Sequence, residues 1–344
     1  MNRARNIVKG MQAVKLQLQM FAEQVMNTTN DSGMSVEMKE FYEKTLITMA
    51  EPELVFDQFG DKYPIPKNGG KVIEFRKYDS LPKNTTPLEE GVTPSGSKMN
   101  ITNIKSEVNQ YGDYIMLTDV LELTAIDNNV IQATKLTGSQ AGRTLNTITR
   151  DVISGGTNVM FAPKEDGTEV LTRAELDATC RLNVDIFLQA SAYLKSVNAQ
   201  PIEDSYVCVI HPFAAYDVKK DELFESWNKY TTPEKMWKGE IGRIGNIRFV
   251  ENSEARIIKD ETCPAGLAVY QTMIIAAHAY GTTEVEGGGL EHIIKQKGSA
   301  GSADPLNQRS TVGWKATKTA ERLVEQYMIR VESCGYKADT IPAN

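Results

Sequence analysis

Residues 71–117 read KVIEFRKYDSLPKNTTPLEEGVTPSGSKMNITNIKSEVNQYGDYIML. The opening residues alternate: Ile73, Phe75 and Lys77 point one way, while Val72, Glu74 and Arg76 point the other. That is the period of a strand. Residues 99–117 form a second extended run, with Ile101, Ile104, Val108, Tyr111, Ile115 and Leu117 as its apolar members. Between the runs lies a segment carrying Pro82, Pro87 and Pro94, with Gly91 and Gly96. Its length, about 20 residues, exceeds that of ordinary hairpin loops. A lone two-stranded ribbon is marginal in water. The stretch therefore predicts a projecting ribbon held in order by something outside its own domain, a neighbouring subunit being the simplest candidate. Leu81, Leu88 and Val92 are its expected anchors; the alternative is a flexible loop with scattered apolar residues.

Upstream, residues 1–35 read as an arm. Val14, Leu16, Leu18 and Met20 alternate as in an extended segment, and 27–33 is a polar break. Residues 34–49 predict a helix with Ser35 as its cap. Downstream, 119–153 predicts one helix with Asp119 and Glu122 as a capping pair, a stripe of Leu123, Ile126, Val130, Ala141, Leu145, Ile148 and Val152, and a bend, a break or a close contact at Gly138 and Gly142. Residues 172–197 predict another, capped by Thr172 and Glu175. Its buried face is Leu176, Cys180, Val184, Phe187, Ser191 and Leu194. The apolar run 206–210 suits a strand buried on both faces. A short helix at 213–220 and strands at 247–250, 267–277, 310–319 and 323–332 complete the pattern, with loops at 227–245 and 298–306. The whole is α+β with a mixed sheet and a long ribbon.

The 344 residues carry 41% hydrophobic and 24% charged side chains, as a folded globular chain does. Net charge is −7, which argues against a surface that grips nucleic acid. Positive charge gathers at the start, in Arg3, Arg5, Lys9 and Lys15. These predict either a solvated terminus or an arm against DNA or an acidic neighbour. The apolar run at 268–279 is too short and too polar to span a bilayer, and no signal peptide is visible. Cys180, Cys208, Cys263 and Cys334 lack metal-ligand spacing, which favours inert thiols in a reducing compartment.

Motifs for chemistry are missing. Gly239, Gly242 and Gly245 recur every third residue, which is not a phosphate-cradling pattern. His211, His278 and His292 sit in no zinc motif, and His211 reads as a core or edge residue. Cys208 and His211 are an odd number apart on a strand, so they face opposite ways and form no dyad. Glu89–Glu90 and Glu284/Glu286 read as solvated charges. No catalytic residue, cofactor or metal is expected.

Several segments carry a resemblance. They are Lys15-Leu-Gln-Leu-Gln-Met-Phe-Ala-Glu23, Phe56-Asp-Gln-Phe-Gly60, Pro64-Ile-Pro-Lys-Asn-Gly-Gly-Lys71, Leu88-Glu-Glu-Gly-Val-Thr-Pro94 and Gln110-Tyr-Gly-Asp-Tyr114. Glu240-Ile-Gly-Arg-Ile-Gly-Asn-Ile-Arg-Phe-Val-Glu251 and Thr311-Val-Gly-Trp-Lys315 extend it. In this order they are similar to the major capsid proteins of tailed bacteriophages, in the family founded by the coliphage N-four protein. The resemblance implies an N-terminal arm (1–50), an extended loop (71–118, a long β-hairpin) and a peripheral domain with a spine helix (51–70, 119–165 and 281–335). It also implies an axial domain (166–280) and a C-terminal tail (336–344). Implied partners are copies of the chain in hexamers and pentamers, scaffolding, portal and decoration proteins, and packaged DNA by non-specific contact, with no membrane. The implied location is the virion capsid, and the host cytoplasm during assembly. An encapsulin-like compartment and a soluble hydrolase or transferase are the alternatives. Lys83 and Lys98 lie on the loop, yet no partner asparagine or catalytic glutamate is recognisable, so no covalent crosslink is expected.

Overall fold

The structure, a computed structural model, describes residues 55–344 apart from 79–80, 89, 94–95, 126–128, 222, 225–239, 287 and 300. The expected arm, its basic residues Arg3, Arg5, Lys9 and Lys15, and the helix at 34–49 lie outside the described residues. In chain order the elements begin with β1 (Asp61–Lys62), β2 (Val72–Tyr78), β3 (Ile101–Glu107), β4 (Asn109–Thr118), α1 (Asp119–Thr124) and α2 (Asn129–Ser154). Then follow β5 (Val159–Phe161), α3 (Val184–Ser196), β6 (Tyr206–Ile210), α4 (Pro212–Lys219), β7 (Glu240–Ile244) and β8 (Ile247–Glu251). The chain closes with β9 (Ile257–Ile258), β10 (Val269–Ile275), β11 (Tyr280–Thr283), β12 (Glu291–Lys295), β13 (Arg309–Arg322) and β14 (Met328–Ser333). No helix among the described residues is long and apolar enough to cross a membrane.

A seven-stranded mixed sheet runs β5-β14-β10-β6-β8-β7, with β9 on the end of β10. Every residue of β6 and β10 is buried. Their alternate side chains feed two cores, because successive strand residues face opposite ways. Tyr206, Cys208 and Ile210 pack with Phe187, Ala190 and Leu194 of α3 and with Phe249. Val207 and Val209 pack with Val55, Phe56, Ile153, Met273 and Tyr280. This sheet is covered on both sides, which is why its central strands read as unbroken apolar runs.

A five-stranded sheet is organised by β13. It is antiparallel to β4 from Arg309↔Thr118 to Lys318↔Asn109, to β12 from Thr311↔Lys295 to Lys315↔Glu291, and to β11. β1 extends the sheet, parallel to β11. Helix α2 lies on one face, with Ala133 and Ala141 packed against Val312, Trp314 and Ala316. The small helix residues allow close approach to the strand. The two sheets meet at residues 55–57. Phe56 N donates to Asn146 Oδ1 (3.2 Å), Thr149 Oγ1 donates to Asp57 Oδ1 (2.7 Å), and the buried Lys318 ammonium pairs with the Asp57 carboxylate.

Several expectations need correction. The 119–153 helix is two helices, broken at Ala125 (ψ 140°), and α2 runs uninterrupted through Gly138 and Gly142. A Cβ on Gly138 would meet the His292 ring at 3.5 Å, an ordinary contact. The cap of α1 is Thr118, whose Oγ1 accepts from Leu121 N; Glu122 is drawn instead to Lys297 Nζ (2.7 Å) and the Ser310 hydroxyl. Helix α3 begins at Val184, where Asn183 Oδ1 accepts from Ile186 N (3.0 Å); Thr172 makes no side-chain cap. Arg173 is held by Glu332 and ends that turn early. All six residues expected on the buried face are nevertheless buried, Leu176 and Cys180 from irregular chain. The segment expected as a loop at 227–245 contains β7 at its end, and a 3-10 turn (Glu325–Tyr327) precedes β14 where one strand was expected.

Candidate assembly interface

β2 and β3 form a separate two-stranded sheet, in register from Val72↔Glu107 to Tyr78↔Ile101. The expected return strand is cut at Val108. Its first part pairs with β2, while β4 leaves to pair with β13. The buried Val108, whose N donates to Lys71 O (2.8 Å), closes the ribbon's base. The cross-strand pairs Ile73↔Ser106, Phe75↔Ile104 and Lys77↔Thr102 share one face, and Val72↔Glu107, Glu74↔Lys105, Arg76↔Asn103 and Tyr78↔Ile101 share the other.

Among the described residues, the inner face meets the body near its root. Ser106 Oγ and Thr319 Oγ1 are 2.9 Å apart, and the Phe75 and Tyr63 rings meet edge-on at 5.2 Å. Further out, a groove of about 540 Å³ separates Lys77, Thr102 and Ile104 from Tyr193, Arg322 and Glu325. Beyond it the described residues of the ribbon are exposed. Leu81 (53% exposed), Leu88 (74%) and Val92 (58%) face solvent, as do Tyr78, Met99 and Ile101. The sequence reading missed these last three. Tyr78 and Ile101 were detectable as the pair on the outward face of the alternation. Large apolar side chains thus gather on one thin projection, where scattered exposed apolars are normal but clustered ones are not.

The same molecule offers little for catalysis. His211 is buried and its Nδ1 accepts from Phe213 N (3.2 Å), capping α4; burial lowers its pKa to about 4. His278 Nδ1 lies 2.7 Å from Asp61 Oδ2 near the surface. Burial raises the pKa of all four thiols, that of Cys334 to about 12, so none is a ready nucleophile. Among the described residues no three His, Cys, Asp or Glu side chains could hold a metal ion. The fully buried Glu332 carboxylate receives Arg173 Nε and Nη2 (2.6 Å each) and Gln271 Nε2 (3.0 Å), with Arg330 Nε at 2.8 Å. It ties the turn at Arg173 to the seven-stranded sheet.

No family model and no curated protein matches the sequence. Solved structures do match. The capsid of Ralstonia phage GP4 superposes with a TM-score of 0.68 at 13% identity, covering 92% of this chain and 100% of that one. The capsid asymmetric unit of cyanophage Pam1 gives 0.68 at 11%, covering 93% and 100%. The head of Helicobacter pylori bacteriophage KHP40 gives 0.59 at 12%, covering 91% and 99%. Near-complete coverage in both directions means that the likeness extends over the chain and is not confined to one common motif. The chain has the tailed-phage major capsid fold.

Proposed function

We propose that this chain is a major capsid protein, a non-enzymatic building block that assembles into hexamers and pentamers of an icosahedral shell around a double-stranded DNA genome. The supporting observation is the ribbon, whose Tyr78, Leu81, Leu88, Val92, Met99 and Ile101 are exposed and whose outer strand edges pair with no other strand among the described residues. On this reading, 71–118 is the extended loop, 51–70, 119–165 and 281–335 form the peripheral domain, and 166–280 forms the axial domain; β4 crosses those bounds into the five-stranded sheet, and β5 and β14 cross them into the seven-stranded sheet. Residues 1–50 act as the arm and 336–344 as the tail. Membership of the family founded by the coliphage N-four protein rests on the ordered motifs. Scaffolding, portal and decoration proteins are the expected partners, in the host cytoplasm during assembly and then in the virion. The acidic balance of the chain suits a shell that holds DNA without gripping it.

The test is electron microscopy of the chain expressed alone and with its scaffold, followed by nuclease treatment of particles from infected cells. Closed shells with protected DNA are expected. A small soluble oligomer would overturn the proposal, and shells enclosing a protein cargo in place of DNA would point to an encapsulin-like compartment. The variant L81S/L88S/V92S is expected to keep the unfolding free energy of the unassembled chain within about 0.5 kcal/mol, because the three sites are exposed. It is expected to abolish shells in sedimentation. Normal shells from this variant would remove the ribbon from the mechanism.

A further inference from the structure

β7 and β8 form the hairpin that ends the seven-stranded sheet. In it Arg243 stands directly opposite Arg248. The next pair, Ile244 and Ile247, is fully buried in the core that α3 covers. Successive strand residues face opposite ways, so both arginines lie on the other face, beside Val207 of β6. Like charges placed directly opposite on paired strands repel. Such a pair persists where something offsets the repulsion.

The offset within the chain is incomplete. Arg248 rests over the Phe59 ring, its guanidinium carbon 5.5 Å from the centroid, and its Nη1 lies 3.5 Å from Glu203 Oε2. Glu203 is 76% exposed, so water weakens that pair. The Arg243 side chain makes no hydrogen bond or ion pair with any described residue. Its Nε, the Arg248 Nε and the Ser205 Oγ are all buried without a hydrogen-bond partner. Ser205 stands two residues before Val207, so alternation puts its hydroxyl on the face of the arginines. It is 1% exposed, and the bridge between Ile202 and Ser205 that fixes it also carries Glu203 to Arg248. Buried donors are normally paired. Here three without acceptors gather on one face at one end of one sheet, with two positive charges against one solvated negative charge.

We infer that Arg243, Arg248 and Ser205 form a binding site for a phosphate group. A carboxylate has two oxygens, and a single arginine fork engages both. Two guanidiniums and a hydroxyl offer more donors than that. They suit the several oxygens of a phosphoryl group, for which arginine is a preferred partner. Together with Glu203 they sum to one positive charge, which a phosphodiester balances. The group comes from a nucleic-acid backbone or from free phosphate. The site stands on its own geometry, and only the first source, DNA enclosed by a shell, rests on the capsid reading. On that reading each copy makes one discrete phosphate contact on an otherwise acidic chain.

The test uses the full unassembled chain. Calorimetric titration with inorganic phosphate at constant ionic strength should show saturable binding that chloride does not reproduce. Arg243→Gln, at a partly exposed position, should weaken it by about tenfold or more, the worth of a hydrogen bond to a charged group. Glu203→Gln leaves both arginines in place and removes their competitor, so it should tighten binding by up to about fivefold. An arginine pair with a merely structural role would not respond to that change. No saturable binding by the wild type, or equal affinity in the wild type and both variants, overturns the inference. Competition by a short DNA duplex, with a logarithmic salt slope smaller by about one in Arg243→Gln, identifies the backbone as the source. Phosphate binding that duplex DNA leaves unchanged identifies free phosphate. Neither result depends on shell formation, so a chain that binds phosphate yet forms no shells overturns the capsid reading and leaves this site standing.

Discussion

Glu332 is the residue whose loss should be felt most in folding. Its carboxylate is buried under Arg173, Arg330 and Gln271. Removing one partner of a buried ion pair strands the others in a poorly solvating interior. Glu332→Ala should therefore lower the unfolding free energy by about 3–5 kcal/mol in urea titrations of the unassembled chain, and Glu332→Gln by less. His211 supplies a pH dependence. Its imidazole accepts a hydrogen bond at the start of α4, and protonation removes that acceptor. Because burial holds the folded pKa at about 4, below the unfolded value, the folded state disfavours the proton. The stabilisation is complete above about pH 6.5 and is lost as pH falls towards 4. The nearby Asp217 works the other way, since burial raises its pKa. Comparing the wild type with His211→Asn, which retains a capping oxygen but does not titrate, isolates the histidine. The variant should lose less Tm than wild type between pH 7 and pH 4.5; equal losses would acquit His211.

At the scale of elements, helix boundaries show local signals losing to tertiary contacts. Thr172 and Glu175 have the spacing of a capping box, yet Glu175 accepts from Leu171 N (3.2 Å) and the helix waits for Asn183. The consequence is measurable. Asn183→Ala should cost about 1 kcal/mol, the usual worth of an N-cap, while Thr172→Ala should be nearly silent. The reverse order in chemical denaturation would restore the sequence-based boundary. The ribbon is the opposite case. Its strands were readable from alternation, but where it ends was not. Val108 breaks the return strand because β13 takes residues 109–118 as its own partner. That partner lies about 200 residues downstream, beyond any local pattern.

At the scale of the whole molecule, the described residues fold into two sheets joined at residues 55–57, with the two-stranded ribbon left over. Exposed strand edges are ordinarily hazards, managed by covering or closing them. Among the described residues nothing pairs with the ribbon's outer edges or covers its outward apolar side chains, and repeated copies would cover them in a closed shell. Many modest contacts linked in one shell reinforce each other, so no single contact must be strong. Covalent locking is not required by that arithmetic. Mature particles boiled in reducing denaturing buffer should run at monomer mass, and a ladder of multiples would show a crosslink from Lys83, Lys98 or another residue.

Periodicity alone determined the strand-like ribbon, the doubly buried strand at 206–210 and the buried residues of 172–197, but not the inward face of α2, which is Ala133, Thr137 and Ala141. Each depends on where neighbours in sequence must point, which a few residues suffice to establish. The long proline- and glycine-rich tip likewise announced a segment that its own domain does not bury. Only the tertiary structure decided the break between α1 and α2, the late start of α3 and the capture of β4 by β13. Those depend on which distant groups compete for the same backbone or side chain. Glu332 draws Arg173, Lys297 draws Glu122, and β13 draws β4 across long separations. No local window contains both partners of such a competition, so its outcome exists only once the chain has closed on itself.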